Sequence, residues 1–274
     1  MESLVLFAPV IGIIALLVVA FAAYCVLCLL GRPPEVGPLK TDEVFGPFIA
    51  RFALWVLKPI EHSLRALNVS PNAITWGSVA ACAGAGIAIS QGNLAMGAWL
   101  FALGGVLDLM DGRLARATGR QTPAGAMFDS VADRWAELFL FTGFAWRLRH
   151  TGWLLAVMAA IAGSMMVSYT RARGEGLGIE LKGGTMQRPQ RIVLVIVGTL
   201  VAAWLMRSGD AEHAPMAAGL ALASCGALSS WTALGRWLDG YRQLAARSPA
   251  PRRVEQPTRS VSETALPITR ERAI

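Results

Sequence analysis

Apolar runs of membrane-crossing length recur along the chain, each closed by a short polar break. Residues 4–30 are almost wholly apolar and end in Gly31, Arg32, Pro33 and Pro34. A bilayer crossing takes about 20 apolar residues, so this stretch is long enough to span. A cleaved signal peptide is the competing reading, but no basic region precedes the run and the run is too long for one. Residues 42–67 follow another rule. Phe45, Phe48, Ile49, Phe52, Leu54, Trp55, Leu57 and Ile60 form an apolar face that Arg51, Lys58, Glu61 and Arg65 interrupt. That pattern predicts an amphipathic helix lying in the interface. Ser70 as N-cap and Pro71 at the first helical position then open a span reaching about Ser90, rich in the Gly and Ala that let helices approach closely. Further spans are predicted over 94–116, 125–147, 152–170, 192–206 and 214–238. The fourth of these, 192–206, is short unless it starts at Pro189 and Arg191 snorkels.

The predicted fold class is therefore all-α: a polytopic integral membrane helical bundle. An extra N-terminal span (1–31) and a juxtamembrane amphipathic helix (42–67) precede a six-span core (68–243). Residues 244–274, rich in Arg, Pro, Ser and Glu without apolar period, read as a flexible tail. Composition agrees, since 54% hydrophobic content over 274 residues argues against a soluble domain. The net charge of +7 does not call for nucleic acid, because the aromatic residues fall mostly inside apolar spans. Many of the basic residues sit instead in segments that the positive-inside rule assigns to the cytoplasm, including the tail. Arg147, Arg149 and His150 at an outer helix end depart from that rule. Cys25 and Cys28 form a C-x-x-C inside a span, where packing is expected rather than redox chemistry, and no disulfide is implied.

Candidate chemistry lies between Asp108 and Asp133. Asp108 and Asp111 are three residues apart and Asp129 and Asp133 four apart, so each pair shares one helix face. The turn residues of 118–123 (TGRQTP) predict a helix reversal that brings the pairs together. Two like charges about 4 Å apart at an effective dielectric of about 20 repel by ~4 kcal/mol. Divalent cations relieve that repulsion, and an all-oxygen donor set favours Mg²⁺, Mn²⁺ or Ca²⁺ over zinc.

These residues match D-x2-D-G-x2-A-R-x8-G-x3-D-x3-D at every fixed position, with Gly112, Ala115, Arg116 and Gly125 completing it. The chain thus resembles the CDP-alcohol phosphotransferases, membrane enzymes that transfer a phosphatidyl or related group from a CDP-linked lipid to an alcohol and release CMP. The resemblance implies two Mg²⁺ or Mn²⁺ ions held by Asp108, Asp111, Asp129 and Asp133, with Asp133 also the general base. It implies a nucleotide site at Gly112, Ala115, Arg116 and Gly125, joined by Asn72 and Thr75 of a P-N-x-x-T pattern. CDP-diacylglycerol as donor, a homodimer among membrane lipids, and a cytoplasmic-face active site in the inner membrane are implied too. The extra N-terminal span departs from the common family plan.

The segment from Tyr169 to Arg191 narrows the acceptor. Tyr169, Arg171, Arg173 and Glu175, then Gly183, Gly184, Arg188, Pro189 and Arg191, resemble the pattern of bacterial phosphatidylinositol phosphate synthases. That implies an acceptor site of Arg171, Arg173, Lys182, Arg188 and Arg191 for inositol phosphate, with glycerol 3-phosphate or another polar alcohol as the alternative. Gln187 and Gln190 stand where those enzymes usually carry Glu, and Gly174 where they carry Ala. A divalent-cation transporter is the rival reading of the intramembrane acids. It favours acids near the bilayer midplane, whereas these fall near one end of their spans.

Overall fold

The structure, a computed structural model, describes residues 2–34, 36, 46–181 and 183–247. Among the described residues, eight α-helices make up the regular structure: α1 (Glu2–Leu29), α2 (Gly46–Ala66), α3 (Pro71–Ser90), α4 (Leu94–Ala117), α5 (Pro123–Leu148), α6 (Leu154–Gly176), α7 (Arg188–Arg207) and α8 (Ala214–Arg247). Five of them, α3, α4, α6, α7 and α8, are long and apolar enough to cross a membrane. The 26 residues of α5 give it similar length, but its acids and arginines leave it outside that set. The all-helical membrane bundle predicted from the sequence is the observed architecture. Residues 42–45 of the expected amphipathic segment, Lys182, and 248–274 of the expected tail lie outside the described residues.

Local signals fix the helix starts. The Ser70 hydroxyl accepts from the Ala73 amide at 3.2 Å, with Pro71 at the first helical position. Asn93 does the same for α4 through Met96, and Thr122 for α5 through Gly125 at 3.0 Å. Pro123 already satisfies the first position of α5, so that helix begins before the expected residue 125. At its far end α6 continues to Gly176, which puts Arg171 and Arg173 on helix rather than loop. α7 begins at Arg188 and thereby reaches 20 residues, enough for the span that residues 192–206 alone leave short. α8 runs on to Arg247, into the segment read as tail.

Lipid offers no hydrophobic drive between helices, so close backbone contact has to hold the bundle. α3 packs against α4 and α5, α6 lies along α8, and α7 bridges α8 and α4. In two of these contacts a glycine lies directly against the backbone of the facing helix. A Cβ on Gly86 of α3 would strike the Phe139 carbonyl of α5, and one on Gly143 would strike Gly86 in return. Gly226 of α8 meets the Ala159–Ala160 backbone of α6, and Gly163 meets Gly226 and Ser229. The bundle therefore has two tightly joined groups, α3–α4–α5 and α6–α7–α8. The buried residues filling it are mostly small, with Ala85, Val157, Ala160, Ala202 and Cys225 fully enclosed.

α2 is not merely adsorbed at the interface. Glu61, read from the sequence as one of its polar positions, accepts from Arg113 Nε and Nη2 at 3.0 and 2.6 Å. Arg65 donates to the Ala117 carbonyl at 2.7 Å, so α2 docks on the end of α4. α1 rests on α2 through aromatic rings. Tyr24, 1% exposed, packs against Phe48, Phe52 and Trp55 with centroids 5.2–5.7 Å apart.

Candidate active site

The reversal between α4 and α5 is closed by Gly119 at φ +65°, a conformation favouring glycine, and by Arg120 reaching Asn68 Oδ1 at 2.7 Å. It sets the last turns of α4 beside the first turns of α5. One carboxylate oxygen each from Asp108, Asp111 and Asp129 then lies within 4.8 Å of the others. Asp111 is the most enclosed, at 4% exposure, and accepts the Thr75 hydroxyl from α3 at 2.6 Å. Three helices thus converge on one oxygen cluster. Its donor chemistry fits a hard divalent cation, since three carboxylates at this separation need positive charge between them.

Asp133, one turn along α5, is held otherwise. Its Oδ1 pairs with Arg188 Nη1, and its Oδ2 takes Arg134 Nη1 at 3.2 Å. Arg188 Nη1 also pairs with Asp108 Oδ1, so a guanidinium from α7 sits between the two aspartate pairs. Arg134 is fixed in turn by Ser168 of α6 at 2.5 Å.

The expected nucleotide positions gather on the same side. Asn72 Oδ1 is 4.0 Å from where a Cβ of Gly125 would stand, so the first turns of α3 and α5 face each other. Over Gly112 lies the exposed guanidinium of Arg116, 3.4 Å from a Cβ built there. Ala115 is half-buried between them in sequence.

The expected acceptor residues divide. Arg188 and Arg191 enter the site, and Arg191 is 4% exposed. Arg171 ion-pairs with Glu175 at 2.9 Å on the exposed end of α6, and Arg173 is exposed there too. Lys182 lies outside the described residues. What aims the α7 arginines is the loop before them. Gly184 has φ +117°, and a Cβ there would run into the Thr232 side chain of α8. The Thr232 hydroxyl accepts the Met186 amide at 3.1 Å. Arg236, a buried residue of α8, donates to the carbonyls of Gly183 at 2.8 Å and Val167 at 3.0 Å.

Two participants escaped the sequence reading. Arg236 is an isolated cation in an apolar run, which was a usable signal. Glu137 follows Asp133 by four residues and so continues the same helix face, but it lies outside the motif.

Residues 68–229 match the family described as CDP-alcohol phosphatidyltransferase. The chain belongs to that family. Among CDP-alcohol phosphatidyltransferases, it is 34% identical over 163 residues to the phosphatidylinositol phosphate synthase of Cutibacterium acnes, covering 58% of this chain and 78% of that relative. It is 36% identical over 167 residues to the archaetidylinositol phosphate synthase of Methanothermobacter thermautotrophicus, covering 61% and 80%. Its structure is similar to that of Mycobacterium tuberculosis phosphatidylinositol phosphate synthase with CDP-DAG bound, at TM-score 0.58 and 27% identity, over 67% of this chain and 92% of that one. The same enzyme in complex with manganese and citrate aligns at TM-score 0.59, over 67% and 88%. This member of the family carries α1 and α2 ahead of the matched region.

Proposed function

We propose that this protein transfers the phosphatidyl group of CDP-diacylglycerol to the hydroxyl of inositol phosphate, forming phosphatidylinositol phosphate and CMP. The observation that carries this reading is the pairing of the α7 guanidinium of Arg188 with Asp108 and Asp133, with Arg191 buried beside it on the same helix and held by Glu137. The relatives' names support the acceptor, and the cluster's position near one end of α4 and α5 favours interfacial chemistry over ion transport.

In this scheme Asp108, Asp111, Asp129 and Asp133 hold two Mg²⁺ or Mn²⁺ ions. Bound there, the cations supply positive charge for the diphosphate and for the leaving CMP. Thr75 keeps Asp111 oriented toward the cluster. Asn72, Gly112, Ala115, Arg116 and Gly125 line the nucleotide position, where short side chains admit the base and ribose and Arg116 meets phosphate oxygens. Asp133 takes the proton from the acceptor hydroxyl as its oxygen bonds to the lipid-side phosphorus and the bond to CMP breaks. Arg188 and Arg191 bind the acceptor's own phosphate, with Arg171 and Arg173 forming the outer approach. The site and tail face the cytoplasm, and the enzyme works as a homodimer.

The test is CMP release by purified protein with CDP-diacylglycerol and Mg²⁺ or Mn²⁺, against inositol 1-phosphate, glycerol 3-phosphate and free inositol. Turnover with inositol 1-phosphate well above the others is expected. Equal use of free inositol would exclude a phosphate-reading acceptor site. Asp111→Asn should abolish both transfer and Mn²⁺ binding.

A further inference from the structure

Glu137 stands outside the aspartate signature, yet the two α7 arginines are arranged around it. Its side chain is 7% exposed, and both oxygens are engaged. Oε1 accepts from Arg191 Nη2 at 2.7 Å and lies 3.8 Å from Arg188 Nε, while Oε2 accepts the Ser164 hydroxyl of α6. A carboxylate this deep in a membrane bundle is costly unless fully partnered, and its partners here come from α6 and α7.

The arginines themselves are left incomplete. The Nε–H of Arg188 and the Nε–H of Arg191 are both buried and have no acceptor. Buried donors are almost always satisfied, so two vacant ones on adjacent turns point to a ligand with several acceptor oxygens. Without a counterweight, Arg188 would be drawn wholly onto Asp108 and Asp133, with which it already pairs. Glu137 pulls from the other side and holds Arg191 directly.

We infer that Glu137 is the positioning residue that holds Arg188 and Arg191 together as a clamp for the acceptor's phosphate. This rests on the function proposed above, in which the acceptor is a phosphorylated alcohol received by α7. Glu137 touches neither substrate. It acts through the guanidiniums, so its loss weakens acceptor binding more than donor binding.

The experiment uses the full chain in detergent micelles, with CMP release followed against inositol 1-phosphate and separately against CDP-diacylglycerol. Glu137→Gln keeps the shape and loses the charge. The apparent KM for inositol 1-phosphate should rise roughly tenfold or more, the loss expected for one charge-assisted hydrogen bond, while the KM for CDP-diacylglycerol changes less than about twofold. Glu137→Asp, which restores the charge, should recover part of the loss. A merely structural role would instead lower the melting temperature and move both KM values together, and that result overturns the inference, as does an unchanged acceptor KM. If Glu137→Gln does not fold, Ser164→Ala decides, since it removes one hydrogen bond from Glu137 and leaves the charge. A rise of about threefold in acceptor KM is expected from that smaller loss, and no rise overturns the inference. Failure of the underlying function is seen separately, as a wild type that releases no CMP with inositol 1-phosphate.

Discussion

The hydrogen bond from Thr75 to Asp111 gives a sharp test of how the metal site is built. Thr75→Val replaces a hydroxyl by a methyl of nearly the same size at a position 4% exposed, so packing in α3 is kept. What is lost is a 2.6 Å donor to a carboxylate that is itself 4% exposed. Hydrogen bonds to charged groups contribute about 1.5–3 kcal/mol, and little water is present to replace this one. At about 1.4 kcal/mol per decade, Mn²⁺ affinity should fall roughly 10- to 150-fold if Asp111 must be held in place to bind it. The assay is Mn²⁺ titration of the purified protein by electron paramagnetic resonance, which needs no substrate. The Mn²⁺ concentration giving half-maximal CMP release is the parallel readout. Thr75→Ser keeps a hydroxyl and should restore most of the affinity. Wild-type Mn²⁺ binding in a folded Thr75→Val protein would refute the role of α3 in ordering the site.

Other outcomes follow from the same geometry. Asp133→Asn should retain CDP-diacylglycerol binding, measured by ligand-induced thermal stabilisation, while losing turnover, because the proposed base is removed and the Asp108–Asp111–Asp129 cluster stays; equal loss of both would make Asp133 chiefly a ligand. Arg191→Lys keeps the charge but not the forked donors, and should raise the acceptor KM roughly tenfold with little change for CDP-diacylglycerol. Gly86→Val should prevent α3 and α5 from closing, because even a Cβ overlaps the Phe139 carbonyl, and is expected to cost at least ~3 kcal/mol, seen as loss of a cooperative melting transition.

The parts of the site legible in sequence were those with fixed local spacing. Asp108 and Asp111, or Asp129 and Asp133, declare a shared helix face within one turn, and Ser70 with Pro71 declares a helix start. Glu137 finds Arg191 across 54 positions, and Arg236 finds the Val167 carbonyl across 69, distances over which a single sequence carries no register. The arginines of 171–191 looked alike in the sequence because interfacial charge and ligand binding ask for the same residue type. Only the fold separates Arg171, paired with its own helix neighbour Glu175, from Arg191, buried beside Glu137. Glu61 misled in the opposite sense: a charge on an amphipathic helix reads as solvated, and its partner Arg113 lies 52 residues on.

The glycine contacts that join α3 to α5 and α6 to α8 also bear on how such an enzyme diversifies. The acids lie on the first helix group, and Arg188 and Arg191 on the second. Substitutions in the 183–187 loop, or at Thr232 and Arg236, re-aim the arginines without passing through the Gly86–Gly143 crossing that registers the carboxylates. On the proposed assignment, the choice of alcohol is therefore adjustable in the second group alone, apart from the carboxylates that would meet the CDP-lipid.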